Sequence, residues 1–487
     1  MKIGRYEVRG LLGRGGMGAV YKVAQPLTGR IAALKLLRPA DVLEDLMGMD
    51  ALAAAFEKEA RMMAALDHPN IASVWDCDTA VVGGERRPFF VMEYYCLNLG
   101  MLLGESYRVE APTRRLPLDR AVGYALQTLD ALARMHHAGI VHRDVKPFNI
   151  MVTGRDEVKL IDFGLSRLRG ETAPVQERPR GVKVGSPYYA PPEQERDPDG
   201  VDGRADLFPV GIMLYRMLTG VLPNDDTLLA REAARSGNGG QRIPPASRYS
   251  DDLDGAWDEF FHTATAEHAQ DRFADAHTMA AELRRLRDRW RGRVRSVCNL
   301  LDDETGPVRA PEDAGGAPRV VRREPCKVGV HEARSRFGLD ALWRPVFPGG
   351  AASLPLLEDN GDGTVRDEAS GCMWVRGSSE YPLTWQEAHE YVALLNETGF
   401  AGYADWRLPT VEELTTVLRE PPMLGDYCAA PVFGDTGTHG AHDVLWTCDR
   451  KSYMAAWFVS ASMGFVGWQD FTCRFGVRAV RSVQRRA

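Results

Sequence analysis

Apolar residues fall in short blocks along the first third of the chain, and their period predicts the elements. Ala19 to Val23, apolar but for Lys22, and the continuous apolar run Ile31 to Leu34 predict two strands, the first ending before Pro26. Phe56, Ala60 and Met63 recur at helical spacing until His68-Pro69-Asn70 stops the pattern, so a helix is expected there. Val158 to Ile161 reads as a further strand. A helix from Met279 to about Val297 carries Leu283, Leu286 and Trp290 between arginines, the pattern of an amphipathic closing helix. From Asp302 to about Arg323 periodicity gives way to Pro, Gly, Ala and acids, which predicts a flexible linker. The stretch Phe337 to Val346, with Trp343, is expected to dock onto the C-terminal part of the chain.

From about Leu354 the pattern changes to turn-rich segments dense in aromatics. Asp359-Asn360-Gly361-Asp362-Gly363-Thr364-Val365 predicts a β-hairpin turn; glycine stands where a calcium loop of the EF-hand type needs oxygen ligands. Two helices are each announced by a capping box. Thr384 and Glu387 precede Ala388, Tyr391, Val392 and Leu395, and Thr410 and Glu413 precede Leu414, Val417 and Leu418. Short strands with glycine turns run from Trp446 to Arg481. Trp457, Phe465, Trp468 and Phe471 read as half-buried core in preference to a ligand surface, because aromatics dominate small β cores.

A chain of 487 residues exceeds one ordinary domain. The expected division is a first domain at 1–290, a largely flexible linker at 291–350 and a second domain at 351–487. A formal charge of -7 argues against nucleic-acid binding, which demands dense basic surface. No apolar run is long enough for a membrane span and none resembles a signal peptide, so a cytoplasmic location is expected. The eight cysteines form no C-x-x-C pair, and free thiols are the expectation. Pairing or metal binding by Cys428, Cys448 and Cys473 is the alternative.

The chemistry is densest from Val141 to Met151. Asp144, Lys146 and Asn149 place a carboxylate, an ammonium and an amide on one short loop between apolar runs. Phosphoryl transfer needs a group to receive or orient the acceptor hydroxyl, a cation near the γ-phosphate and an oxygen ligand for Mg²⁺, and these three residues match the three needs. Gly13, Gly15 and Gly18 mark a hairpin where missing side chains let backbone N–H groups approach phosphate oxygens. A dinucleotide-binding loop would need a helix next, and a strand follows instead. Lys35 ends an apolar strand and needs anionic partners if buried: phosphates, and Glu59 or Glu57 on the following helix. Asp162, in Asp162-Phe163-Gly164, closes the strand at 158. Together with Asn149 it implies bound Mg²⁺ or Mn²⁺.

In this order the motifs resemble a bacterial serine/threonine protein kinase of the eukaryotic-like, Hanks type, from about Tyr6 to about Leu286. The resemblance implies an α+β, bilobal protein-kinase fold that uses ATP. It selects Glu59 as the partner of Lys35 and makes Phe90 to Tyr94, with Met92 and Glu93, the hinge for adenine. Val20, Ala33 and Met151 would line the adenine slot. Arg204-Ala205-Asp206 would open the buried helix of the large lobe, and Arg272 would pair with Glu193. Lys146 and Gly185-Ser186-Pro187 imply serine or threonine acceptors on protein substrates. Arg143 would meet a phosphate on the activation segment, and Thr172 is the candidate for self-phosphorylation, ahead of Ser166 and Ser186. Pro191 and Pro209 depart from the usual alanine and serine, which puts local packing in question before catalysis. The alternative function is a nucleotide-sensing pseudokinase scaffold whose C-terminal domain is the effector, but none of Lys35, Asp144, Asn149 and Asp162 is lost.

The later motifs also keep a recognisable order. Asn360 to Val365, Cys372-Met373-Trp374, Leu383 to Ala388, Asp405-Trp406-Arg407-Leu408-Pro409-Thr410 and Val477-Arg478-Ala479-Val480-Arg481 resemble the bacterial DUF1566 domain. That family is similar to C-type-lectin and formylglycine-generating-enzyme folds. The resemblance implies a C-type-lectin-like α+β domain that binds an unknown ligand or protein. Cys448 and Cys473 do not reproduce the reactive pair of a sulfatase-modifying oxidase.

Overall fold

The first apolar runs fold as neighbouring strands of one antiparallel sheet. The computed structural model describes residues 1–105, 110–162, 187–197, 200–224, 243–302, 321–346, 357–418, 428, 431–433 and 443–483. The chain divides into two compact units, one of Met1–Val152 with Glu157–Trp290 and a second that takes in Arg291–Ala487.

In the first unit, six strands line up as β1 (Lys2–Ile3), β2 (Tyr6–Arg14), β3 (Gly18–Ala24), β4 (Ile31–Leu37), β6 (Glu85–Glu93) and β5 (Val74–Val82). Ile3, Tyr6, Val23, Ala32, Leu34, Phe89 and Val91 make one buried cluster of this sheet. Val20 lies opposite Lys35, Lys35 opposite Phe90, and Ala33 opposite Met92. Side chains alternate along a strand, so these five residues share one face. Helix α1 (Asp41–Met47) leads into α2 (Met49–Ala65), which buries Leu52, Phe56, Glu59, Ala60 and Met63. Phe56 meets Phe90 of the sheet with ring centroids 5.1 Å apart.

The rest of this unit is mainly helical: α3 (Leu99–Leu103), α4 (Leu118–His137), α5 (Pro192–Arg196), α6 (Arg204–Thr219), α7 (Gly255–Ala264) and α8 (Ala276–Asp302). A small sheet of β7 (Leu97–Asn98), β8 (Ile150–Val152) and β9 (Val158–Leu160) lies beside them. Helix α6 is apolar on nearly every side, and Ala205 through Thr219 are all buried, the pattern of a central helix. Pro209 stands inside it. Its ring nitrogen cannot donate to the carbonyl of Ala205 one turn back, a local cost that burial on all sides of the helix outweighs. The closing helix extends beyond the predicted Met279 to Val297 at both ends, and Leu283, Leu286 and Trp290 are buried.

Among its described residues the second unit holds two antiparallel sheets. One is ordered β10 (Leu357–Asp359), β11 (Thr364–Asp367), β12 (Cys372–Val375), β16 (Val480–Ser482), and the other β13 (Val444–Arg450), β14 (Ala455–Ser460), β15 (Phe465–Asp470). The predicted hairpin is β10–β11. In its turn Gly361 and Gly363 have φ of 76° and 87°, and the Asp359 and Asp362 carboxylates accept N–H bonds from Gly361 and Thr364. The acids serve the turn, and no cluster of metal-binding side chains occurs among the described residues. Helices α10 (Trp385–Glu397) and α11 (Val411–Thr416) both carry complete capping boxes, at Thr384/Glu387 and Thr410/Glu413.

The structure departs from the expected linker at 291–350. Residues 321–346 fold into the second unit around α9 (Val330–Arg336), and Val328, Ala333, Phe337 and Leu339 join a core with Trp374, Val411, Leu414, Trp457 and Val480. Trp343 stacks on Trp457 at 5.8 Å, and the Trp457 indole donates to the Val328 carbonyl at 3.1 Å. Arg322 donates to Asp449 at 2.6 Å and pairs with Glu412. Periodicity does not reveal this segment, because α9 buries one residue of seven and the anchors around it follow no period.

Cys428 and Cys448 are free, buried thiols. Burial pushes Cys428 up to about 11 and Cys448 higher still, where neighbouring Asp449 and Glu413 add to the effect. Cys473, by contrast, is disulfide-bonded, so the expectation of free thiols fails for it. The four singled-out aromatics separate: Trp457 and Phe465 are core, while Trp468 and Phe471 are half-buried, Phe471 stacked on Trp385 at 4.4 Å.

Candidate active site

The β2–β3 hairpin brings the glycine-rich segment back on itself, with the Gly15 N–H donating to the Gly18 carbonyl at 2.8 Å. A Cβ at Gly18 would stand 2.4 Å from the Leu36 carbonyl oxygen, so only glycine fits there. Gly13 pairs with Val20 across this hairpin. Met92 is buried and Glu93 half-buried at the end of β6, and Met151 is half-exposed between buried Ile150 and Val152.

Lys35 donates to Glu59 at 2.9 Å and to Asp162 at 2.7 Å. The Glu59 side chain is fully buried, whereas Glu57 is half-buried and pairs with Arg61. Burial by itself would lower the lysine pKa, but Asp162 and Glu59 outweigh it and lift it above its ordinary value. For Asp162, burial pushes upward, and the Lys35 charge and hydrogen bond override it and hold the carboxyl below its usual range. Lys35 and Asp162 are therefore a cation and an anion in direct contact, with Glu59 as the second acceptor of the lysine.

A second cluster forms on the loop before β8. Lys146 donates to both Asp144 carboxylate oxygens, at 2.9 and 2.7 Å. The Asn149 amide donates to the Asp144 carbonyl at 2.8 Å and to its carboxylate at 3.1 Å. With its nitrogen so engaged, the Asn149 side-chain oxygen is left as an acceptor. The two clusters are tied together, because the Ile161 N–H donates to the Asn149 carbonyl at 3.1 Å and sets Asp162 next to it. An amide oxygen and an ionised carboxylate suit a hard divalent cation, so these residues fit Mg²⁺ or Mn²⁺.

Two residues whose part in the loop was not foreseen hold its shape. Asp206 at the start of α6 accepts the N–H groups of His142 and Arg143, at 2.8 and 2.7 Å, and a bond from His136 at 2.8 Å. Arg143 is held at φ 65° and Asp162 at φ 58°, both in the left-handed region, a strain that surrounding bonds must sustain. His142 is fully buried. Its Nδ1 accepts the Asp144 N–H at 3.2 Å, and its Nε2 lies 3.1 Å from the Ile161 carbonyl, which assigns the proton to Nε2. Burial lowers the His142 pKa against the opposing pull of Asp206 and Asp144. The folded state thus binds fewer protons here than the unfolded chain, and stability is fully present above the unfolded value of about 6.5 and declines as pH falls below it. Thermal unfolding midpoints between pH 8 and pH 5 should show this loss, and His142→Gln should flatten it.

Beside Asp144 lies a cleft lined by Arg143, Lys146, Tyr189, Ala190, Pro191, Gln194 and Pro209. Both unexpected prolines face this cleft. Tyr189 is anchored beneath it: Arg216 donates to its hydroxyl at 3.0 Å, and the hydroxyl lies 3.3 Å from Glu105. Arg216 and Glu105 are wholly buried with 3.5 Å between their charged atoms. Burial raises the Glu105 pKa, and the Arg216 charge resists it. No spacing rule connects residues 105, 189 and 216, though an arginine inside the apolar run of α6 was a visible signal. Arg272 pairs with Glu193 at 2.6 and 2.8 Å, as the resemblance implied. Phe163, Gly164, Ser166, Thr172, Gly185 and Ser186 lie outside the described residues.

The protein kinase domain family matches residues 6–263, more than half of the chain, and the chain belongs to that family. A second family, the Lcl C-terminal domain, matches residues 363–481. Among curated proteins, the probable serine/threonine-protein kinase PknB of Bifidobacterium longum is 34% identical over 286 residues, covering 58% of this chain and 39% of that protein. Serine/threonine-protein kinase PksC of Streptomyces coelicolor is 37% identical over 285 residues, covering 58% of this chain and 49% of that one. The chain thus spans half or less of the length of these relatives. Among solved structures, the PknI kinase domain of Mycobacterium tuberculosis aligns with a TM-score of 0.42 at 24% identity, over 59% of this chain and 97% of that one.

Proposed function

We propose that this chain transfers the γ-phosphoryl group of ATP to serine or threonine hydroxyls of proteins. The observation that carries the reading is the pair of joined clusters, Lys35–Glu59–Asp162 and Asp144–Lys146–Asn149, in a chain of the protein kinase family. Asp144 is the carboxylate that orients the acceptor hydroxyl and takes its proton as the P–O bond forms. Lys146 holds that carboxylate in place by its two hydrogen bonds and supplies positive charge for the transferred group. Lys35, fixed by Glu59, holds the α- and β-phosphates. Asn149 and Asp162 would hold Mg²⁺ or Mn²⁺, which would supply positive charge to offset that of the nucleotide phosphates. Val20, Ala33, Met92, Glu93 and Met151 accommodate adenine, and Gly13, Gly15 and Gly18 cover the phosphates.

Transfer of labelled γ-phosphate to the protein itself and to a basic acceptor protein tests this. Label on serine or threonine, Thr172 included, is the expected result. Absence of label with either metal and any acceptor would overturn it and leave the nucleotide-sensing scaffold. The cleft beside Asp144 is the acceptor site in this reading, with Tyr189 as a positioning residue. Tyr189→Phe removes the hydroxyl's hydrogen bonds with both Arg216 and Glu105, so the KM for an acceptor peptide should rise about tenfold with the KM for ATP unchanged. Equal changes in both constants would count against that role.

For the C-terminal unit we propose a C-type-lectin-like, DUF1566-type module that binds a ligand or partner protein. Its two small sheets with capped helices support an α+β architecture of that sort. A cytoplasmic site of action accords with the use of ATP, and no helix among the described residues is long and apolar enough to cross a membrane.

A further inference from the structure

Arg478 lies in the Val477-Arg478-Ala479-Val480-Arg481 motif just before β16 and is only 4% exposed. The other buried arginines among the described residues all have acceptors. Arg114 donates to the Leu102 and Met101 carbonyls, Arg216 to Tyr189 and the Ala111 carbonyl, and Arg272 to Glu193. Arg478 differs. Its Nε is sealed with no hydrogen-bond partner, and the one polar or cation–π interaction of its guanidinium among the described residues is with the face of Phe433, 4.3 Å from the ring centroid. Burial alone acts on its pKa, pulling it down to about 10, with no carboxylate to oppose the effect. A cation–π contact offsets only part of the cost of removing a guanidinium from water, so the fold leaves a positive charge in want of an anion.

A second buried donor without a partner adjoins it. Trp374 of β12 is wholly buried, and its indole nitrogen meets no acceptor, whereas Trp385, Trp406, Trp446 and Trp457 each donate to a backbone carbonyl. Trp374 stands edge-on to the same Phe433, with centroids 6.3 Å apart. It lies opposite Val480 across the ladder, and the Val375 N–H donates to the Ala479 carbonyl, so the pairing continues toward residue 478. Arg478 thus lies at the end of this ladder, and what it shares with Trp374 is the neighbour Phe433. Two orphan donors, one of them charged, flank one aromatic ring, and two independent observations point to the same missing chemistry.

We propose that Arg478 and the Trp374 indole N–H, around Phe433, form a binding site for a small oxyanion in the C-terminal unit. A planar guanidinium fork suits a carboxylate or an inorganic oxyanion, and the indole adds a single N–H. The site goes beyond the phosphotransfer reading and stands whether or not the chain is an active kinase.

The test uses the full chain and follows thermal unfolding at constant ionic strength as acetate, glutamate, phosphate or sulfate replaces chloride. Binding to the folded state gives a saturable rise in the midpoint, whereas exclusion of sulfate or phosphate from the surface gives a steady rise without saturation. The expected result is saturation by at least one anion in the wild type, with no such component in Arg478→Met. Arg478→Lys keeps the charge and loses the fork, and should weaken the apparent affinity about tenfold; Trp374→Phe should weaken it severalfold. The anions that work separate a carboxylate ligand from a tetrahedral one. If Arg478→Met does not fold, the lysine and phenylalanine variants carry the test. Identical titrations for wild type and Arg478→Lys, or saturation by no anion at all, would overturn the site and leave Arg478 satisfied by water or by a carboxylate of its own chain.

Discussion

Asp144→Asn is expected to lower the rate of phosphate transfer by about 10²–10⁴-fold, the usual worth of a positioned proton acceptor, while ATP still binds. The side chain is partly exposed, and its loss of charge leaves Lys146 with a weaker acceptor but seals no group away from water. The fold should therefore survive: the melting midpoint should stay close to the wild type, and affinity for a fluorescent nucleotide should change little. Steady-state transfer to a peptide, measured beside nucleotide affinity, separates these quantities. Activity within tenfold of the wild type would remove Asp144 from the chemistry.

Lys35→Met acts on both stability and rate. It leaves Glu59 buried and Asp162 without the ammonium that both contact at hydrogen-bonding distance. Removing one partner of a buried pair costs about 3–5 kcal/mol, and in a unit of this size each kcal/mol lowers the midpoint by roughly 2–4 °C. A large fall in the first unit's melting transition is expected together with loss of transfer. The double variant Lys35→Met/Glu59→Leu replaces the pair by apolar groups and should recover much of the stability without recovering activity. A double variant as unstable as the single one would show that Glu59 is not the source of the cost.

These two residues also mark where the sequence was informative. Lys35, Asp144, Asn149 and Asp162 stand in short motifs whose spacing is set by strands and a loop, so local reading reaches them. The choice of Glu59 over Glu57 needed family register, and the buried contact with Lys35 agrees with it. The capping boxes at Thr384 and Thr410 were legible for the same local reason. Asp206, His142 and the Glu105–Arg216–Tyr189 group were not, since each works across long stretches of chain through polar contacts without a period. The segment at 321–336 was hidden differently: its charge density looks like linker, although Arg322 is held by Asp449 and Glu412, whereas the docking of Phe337 to Val346 was expected. The Asp405 to Thr410 motif, so distinctive in sequence, is occupied by architecture. Asp405 pairs with Arg481, Trp406 is buried, Arg407 pairs with Glu413, and Thr410 caps α11.

That same segment sets what can be inherited or transplanted as one piece. The family match begins at residue 363, yet Trp457 is covered by Phe337 and Trp343 and hydrogen-bonded to the Val328 carbonyl. A gene fusion cut at the family border would carry the later sheets away with a bare tryptophan in place of a finished interior. A transplant of this module therefore has to carry Arg322 to Val346 along with the residues of the family match.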